Sequence, residues 1–139
     1  MQIGVENFLG ISEVYVVFED TDSIWWLKFL KKGFRHCYVL LTSRENNLMI
    51  LLNPRSNQTD IQLFHNCDID NAIRLFTSCK EHTILRVHMT QSPLKCAPIM
   101  FFTCVEFVKR ILGIHDFAII TPYQLYKKIK NSRKKILTN

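Results

Sequence analysis

The chain has 139 residues, of which 47% are apolar and 22% charged, with four glycines and four prolines. This length and composition fit one globular domain and exclude a disordered, collagen-like or low-complexity chain. The net charge is +6, but residues 121–139 hold six of the 18 Lys and Arg and none of the 12 Asp and Glu, so the first 120 residues are neutral. A folded surface that is not broadly basic argues against a domain built to hold nucleic acid.

Strand patterns occupy most of the first two thirds of the chain. Five segments are β-branched, aromatic or alternating in polarity and predict strands, namely 13–19, 34–42, 48–53, 59–64 and 83–89. The polar stretch 43–47 predicts a turn between the second and third of them. Residues 22–30, with the Trp25–Trp26 pair, indicate a short helix or an aromatic loop, and residues 90–98 indicate a loop.

Helix signals are strongest near the carboxyl end. Asp68 or Asp70 could cap a first helix that runs to about Ser78. In the last predicted helix, Thr121 is the N-cap and Pro122 the first residue, and it extends to about Lys130 or beyond.

The helix between these two begins with a cysteine. Thr103 and Glu106 fit the capping box, in which the N-cap hydroxyl and the carboxylate three residues later bond the free N–H groups. Cys104 then becomes the first helical residue, and Gly113 ends the helix after residue 112. Strands and helices that do not alternate regularly predict an α+β fold with a mainly antiparallel sheet packed against this helix. We expect a single domain over 1–130 and a basic tail over 131–139.

The cysteines and the amino terminus indicate the compartment. Five cysteines at irregular spacings without a C-x-x-C pair argue against a disulfide framework and against a structural zinc site, although His65-x-Cys67 and Cys79-x-x-His82 resemble ligand pairs. We predict no metal and no cofactor. The amino terminus does not resemble a signal peptide, and no apolar run reaches the ~20 residues of a membrane span. We therefore expect synthesis in the cytoplasm.

Cys104 is the strongest candidate for chemistry. Free N–H groups and the helix dipole favour a thiolate at the first helical position, and a histidine could accept the thiol proton. If the turn is centred between residues 44 and 45, His36 lies directly opposite Asn53, which would orient the imidazole. A shift of one residue would place Asn53 on the wrong face.

Each of these residues also has a structural interpretation. A lone cysteine in an apolar run is usually a small core residue. A strand histidine is often simply hydrogen-bonded, and Asn before Pro is a common turn starter. The catalytic hypothesis depends on the three residues occurring together.

Three stretches, 33–40, 51–54 and 103–114, together resemble a circularly permuted papain-like domain of the group that holds NlpC-type cell-wall peptidases and lecithin retinol acyltransferase-like proteins. In permuted members the histidine strand precedes the cysteine helix, as here. The resemblance implies a nucleophilic Cys104, a general base at His36 and an orienting Asn53. The backbone N–H of Cys104 would help to bind the oxyanion, with Gln91 or Tyr38 as candidate side-chain donors. The segment 120–126 also resembles small bacteriophage proteins.

The main hypothesis is thus a cysteine hydrolase, an amidase or endopeptidase, acting on peptidoglycan or peptide amide bonds through a thioester at Cys104. The alternative is a non-enzymatic component of a phage particle (tail or connector) on the same fold, incorporated into the virion, with Trp25 and Trp26 as contact surface. A third hypothesis is phosphate binding by the basic residues near the end, although a solvated helix explains them as well. These residues are Lys127, Lys128, Lys130, Arg133, Lys134 and Lys135.

Overall fold

The described part of the chain contains one antiparallel sheet. The structure is a computed structural model that describes residues 10–21, 24–87 and 103–137, with side chains up to residue 133. The strands in these ranges are β1 (Glu13–Glu19), β2 (His36–Ser43), β3 (Leu48–Pro54), β4 (Thr59–Phe64) and β5 (His82–Val87). Their spatial order is β4-β3-β2-β1-β5, and every neighbouring pair is antiparallel. This confirms the predicted α+β class and the antiparallel sheet.

Three α-helices accompany the sheet in the described ranges: α1 (Ile69–Ser78), α2 (Cys104–Leu112) and α3 (Pro122–Leu137). Asp68, not Asp70, caps α1, because the Asp68 carboxylate accepts the backbone N–H of Asn71 at 3.1 Å. The α3 helix continues through residues 131–137, which the sequence had suggested as a tail. Residues 25–29 form a 3₁₀ helix, and the predicted loop at 90–98 lies outside the described residues.

The central strand β1 faces two cores. Its residues Val14, Val16 and Phe18 point to one side, where they pack with buried side chains of α2 and α3. Tyr15 and Val17 point to the other side, which α1 covers. This alternation of fully apolar faces follows from the period of two in a strand. Because both faces of β1 are covered, nearly every residue of this strand is buried.

The register of the β2–β3 hairpin differs from the prediction. The turn occupies residues 44–47, and Ser43 pairs with Leu48 and Val39 with Leu52. The prediction that Asn53 lies directly opposite His36 was therefore wrong by two residues. The reason is the Asn46-Asn47 pair: Asn47 adopts a left-handed conformation, with φ of 48°, which closes a four-residue loop. A shift of two residues keeps every side chain on its face, so His36 and Asn53 become diagonal neighbours on the same side of the sheet.

No helix in the described ranges is both long enough and apolar enough to cross a bilayer.

Candidate active site

The amino end of α2 holds Cys104. The Thr103 hydroxyl oxygen accepts the backbone N–H of Glu106 at 3.1 Å, and Gly113 ends the helix in the left-handed region at φ 67°. Both ends of the predicted helix are thus confirmed. The helix packs against β2 and β3, with Val105 and Val108 in the core. Cys104 is the first residue of the helix and is only partly buried, so its side chain lies at the positive end of the helix dipole.

A buried ion pair anchors this helix. The Lys109 ammonium donates to Glu106 Oε2 at 2.9 Å and to the carbonyl oxygen of Ile119 at 3.2 Å. Both side chains are close to fully buried. The pair therefore ties α2 to the segment before α3.

His36 is held by Asn53. The distance from His36 Nε2 to Asn53 Oδ1 is 2.7 Å, a short hydrogen bond in which the amide oxygen accepts and the ring N–H donates. Because Asn53 engages Nε2, Nδ1 is the ring nitrogen left for the cysteine. His36 is the first residue of β2, so its ring lies at the end of the strand. The diagonal cross-strand position brings the two side chains together despite the shifted register.

Hydrogen bonds and charge favour the ionised form of Cys104. Its pKa is lowered to about 5 from the ordinary 9.0. The largest cause is a hydrogen bond from the Cys37 thiol. Burial opposes the shift, whereas the hydrogen bond and charge of His36 and the backbone N–H of Cys37 reinforce it. The thiolate is the nucleophilic form of cysteine, so this sulfur is activated at neutral pH.

The pKa of His36 moves in the complementary direction. Burial by itself would lower the pKa, but the hydrogen bond to Cys104, its negative charge, the bond to Asn53 and the charge of Glu19 raise it above 6.5. A lowered thiol pKa and a raised imidazole pKa favour a thiolate–imidazolium pair. Such a pair can attack an electrophilic carbon and supply a proton to a leaving group.

Two residues of this site were missed by the sequence reasoning. Cys37 is fully buried, and burial raises the pKa of its thiol well above 9.0, so it stays protonated and donates to the Cys104 sulfur. Glu19 is the ladder partner of both His36 and His82, and its Oε2 lies 3.2 Å from His82 Nε2. Cys37 directly follows His36 in β2, but successive strand residues point to opposite faces, so this spacing gave no signal for Cys37. Glu19 could be found only from the pairing of three strands.

Of the two predicted side-chain donors for the oxyanion, Tyr38 packs beside His36, and Gln91 cannot be placed. Tyr38 is buried, with its ring centroid 6.2 Å from that of His36 and 6.5 Å from that of His82. Burial raises its pKa. Gln91 lies outside the described residues.

The basic residues lie along α3. Lys127, Lys128, Lys130 and Arg133 are exposed, and Lys128 approaches Asp116 at 3.4 Å. Lys134 and Lys135 lie in the same helix, beyond the described side chains.

Trp25 and Trp26 are exposed, as the contact-surface hypothesis requires.

Within the described residues, no group of three or more His, Cys, Asp or Glu side chains could hold a metal ion.

Comparison of the chain with protein-family models, with curated proteins and with solved structures found no match.

Proposed function

We propose that this protein is a cysteine hydrolase that cleaves an amide bond, with Cys104 as nucleophile, His36 as acid and base, and Asn53 as the residue that orients the imidazole. The observation that carries the proposal is the His36 ring, which bonds Asn53 Oδ1 at 2.7 Å on one nitrogen, while its hydrogen bonding and charge interaction with Cys104 raise the pKa of the imidazole and lower that of the thiol. Nucleophile, base and orienting group in one chain of hydrogen bonds are the recurring arrangement of such enzymes.

In the first half of the reaction, the Cys104 thiolate attacks the amide carbonyl carbon. The carbonyl oxygen takes the negative charge, and the backbone N–H of Cys104, which has no acceptor within its helix, is suited to stabilise it. The His36 imidazolium then gives its proton to the departing nitrogen. The carbon–nitrogen bond breaks, an amine leaves, and a thioester to Cys104 remains.

In the second half, water hydrolyses the thioester. Neutral His36 removes a proton from the attacking water, the carbon–sulfur bond breaks, and the carboxylic acid product is released. The sulfur leaves as a thiolate, and His36 is again protonated. Asn53 keeps the ring plane in place through both halves, because its oxygen accepts only when Nε2 carries a hydrogen.

The proposed substrate is a peptide amide of the kind found in peptidoglycan, and the proposed family is the permuted papain-like group. An antiparallel sheet that carries His36 at the start of a strand, ahead of a helix that begins at Cys104, supports this. A role as a cell-wall hydrolase carried in a phage particle after synthesis in the cytoplasm is consistent with that proposal.

Turnover of purified muropeptides by the wild-type chain tests the function. We expect Cys104→Ala to abolish amide cleavage, since it removes the sulfur that attacks the carbonyl carbon in the proposed step. Cys79→Ala is the matched control because Cys79 is an exposed free thiol, and it should retain full activity. Cleavage that persists in Cys104→Ala would overturn the proposal, as would a failure of an electrophilic peptide probe to label Cys104.

A further inference from the structure

A surface outside the cysteine–histidine pair exposes three large aromatic side chains in one turn. Trp25 is 73% exposed, Trp26 52% and Phe29 85%. They belong to the 3₁₀ helix Trp25–Phe29, in which Leu27 is buried and anchors the turn to the domain. Clustered large apolar side chains in water are unfavourable and mark sites of interaction.

Lysines flank these rings. Lys28, Lys31 and Lys32 are exposed, and residues 24–34 contain no acidic residue. Lysine side chains lay their apolar stems beside apolar groups while the ammonium stays in a polar layer. The turn therefore combines an apolar tip with a positively charged border.

The α3 helix extends this border. Lys31 Nζ lies 3.6 Å from the centre of the Tyr123 ring, and Lys127 Nζ lies 5.2 Å from the same centre. Phe34 packs on Tyr123 with ring centroids 5.1 Å apart. Lys130 Nζ lies 3.3 Å from the Tyr126 hydroxyl. The Lys31 and Phe34 contacts with Tyr123 hold α3, which has no acidic residue, next to the aromatic turn, whereas Lys127 and Lys130 contact rings of their own helix. We call the exposed side chains of residues 25–32, together with Lys127 and Lys130, the aromatic–basic surface.

We infer that the aromatic–basic surface docks onto an anionic lipid bilayer. Indole rings are favoured at the level of the lipid headgroups, and a phenyl ring gains by leaving water for the acyl boundary. The surface carries five lysines, three in residues 24–34 and two in α3, and neither segment contains an acidic residue. This positive charge complements anionic headgroups. A polyanion such as nucleic acid would neutralise the same lysines but would not take the exposed Phe29 ring out of water, so the apolar exposure favours a bilayer.

Docking would orient the candidate active site. Residues 20–35 connect Glu19 to His36, which are ladder partners at one end of the sheet. The aromatic–basic surface thus lies on the connection that begins and ends at the His36 end of the molecule. The inference itself does not depend on the proposed hydrolase, and Cys104→Ala should bind vesicles as the wild type does.

Tryptophan fluorescence tests the docking directly, because the chain has two tryptophans and both lie in this surface. The full chain is mixed with phosphatidylcholine vesicles and with vesicles of which about a quarter of the lipid is phosphatidylglycerol. We expect a shift of the emission to shorter wavelength and protection from acrylamide with the anionic vesicles only. Co-sedimentation should give the same preference. No shift with the anionic vesicles would overturn the inference.

Variants separate a bilayer from other anionic partners. Phe29→Ser should weaken vesicle binding at least tenfold, and Lys28→Gln with Lys31→Gln and Lys32→Gln roughly hundredfold, since each lysine near an anionic surface contributes about fivefold. Leu75→Ser is the matched control, because Leu75 is 62% exposed on α1, and it should bind as the wild type does. Circular dichroism checks that each variant folds. Wild-type binding by Phe29→Ser, or equally tight binding to double-stranded DNA or to a second copy of the chain with the same emission shift, would contradict the inference.

Discussion

At the scale of single residues, the distinctive feature is that the sulfur of Cys104 accepts from both of its neighbours on β2, His36 and Cys37. The imidazolium contributes charge and a hydrogen bond, and the buried Cys37 thiol contributes the largest share of the lowered pKa. Cys37 can do so because its own pKa is raised by burial. Cys104 is therefore the stronger acid of the two thiols, because it lies at the amino end of a helix, whereas Cys37 lies inside the core.

The first prediction concerns reactivity. The rate of alkylation of Cys104 by iodoacetamide should rise with a midpoint near pH 5, because the thiolate is the reacting form and its pKa is about 5. Mass spectrometry of each cysteine peptide across pH measures this, with the exposed Cys79 as internal reference. If Cys104 reacts no faster than Cys79 at pH 6, the activated thiolate is refuted.

The first prediction extends to stability, because the same pKa shifts determine how the free energy of unfolding changes with pH. The folded pKa of Cys104 lies below its ordinary 9.0, so its contribution is fully present above pH 9 and is lost as pH falls towards 5. The folded pKa of His36 lies above 6.5, so its contribution is fully present below pH 6.5 and is lost as pH rises through the folded value. A rise in pH thus increases the contribution of Cys104 to the free energy of unfolding and decreases that of His36. Urea unfolding of the wild type and of Cys104→Ala across pH should show the difference narrowing towards pH 5.

The second prediction isolates Cys37. Cys37→Ala should move the Cys104 alkylation midpoint upward by about one to two pH units, because a hydrogen bond to a charged group contributes about 1.5–3 kcal/mol and one unit corresponds to about 1.4 kcal/mol. Cys37→Ser retains a donor and should restore much of the low midpoint. Cys67→Ala serves as the control. An unchanged midpoint in Cys37→Ala would show that the Cys37 thiol does not stabilise the thiolate.

At the scale of elements, local signals located the helices well. The cap of α2 joins Thr103 to Glu106, three residues apart, and Gly113 lies directly after the last helical residue. Such signals depend on neighbours in the chain, so they can be identified from sequence. The hairpin register was harder, because it depended on which of two asparagines would adopt a positive φ. Asn47 did, and the pairing moved by two residues.

The third prediction follows from that cap. Thr103→Ala should lower the free energy of unfolding by about 1 kcal/mol, because the N–H of Glu106 loses its acceptor at the start of α2. Thr77→Ala is the control: the Thr77 hydroxyl donates to the Ile73 carbonyl inside α1 and caps nothing. Urea denaturation followed by circular dichroism compares the two. Equal stability of Thr103→Ala and the wild type would contradict the role of the cap.

At the scale of the whole molecule, the sheet brings together side chains that are far apart in the chain. Asn53 and His36 come from a hairpin, whereas Cys104 comes from a helix that packs on β2 and β3 from outside. The buried Lys109–Glu106 pair then connects that helix to the segment before α3. The site therefore depends on the packing of α2, and not only on the cap at its first turn.

The fourth prediction tests this connection. Lys109→Met should destabilise the fold by about 3 kcal/mol, the lower end for a broken buried pair, because it leaves the Glu106 carboxylate with only the half-exposed Arg110 guanidinium at 3.6 Å. Adding Glu106→Gln should recover part of the loss by removing the charge. Lys128→Met is the control, since the Lys128–Asp116 pair is largely exposed, and it should cost far less. Thermal and urea unfolding measure all three variants, and similar stability for Lys109→Met and Lys128→Met would contradict the prediction.

Chain-local chemistry was enough to derive the α+β class, the helix that starts at Cys104 and the candidates His36 and Asn53, because periodicity and capping act over a few residues. Three further features became visible only in the folded chain: the diagonal bond between His36 and Asn53, the thiol of Cys37 beside Cys104, and the exposure of Trp25 and Trp26. Each depends on which strands are neighbours and which side of an element remains uncovered. Strand neighbours and uncovered faces are determined by packing between segments that are far apart in the sequence. The residue pattern within one segment does not show which other segment packs against it.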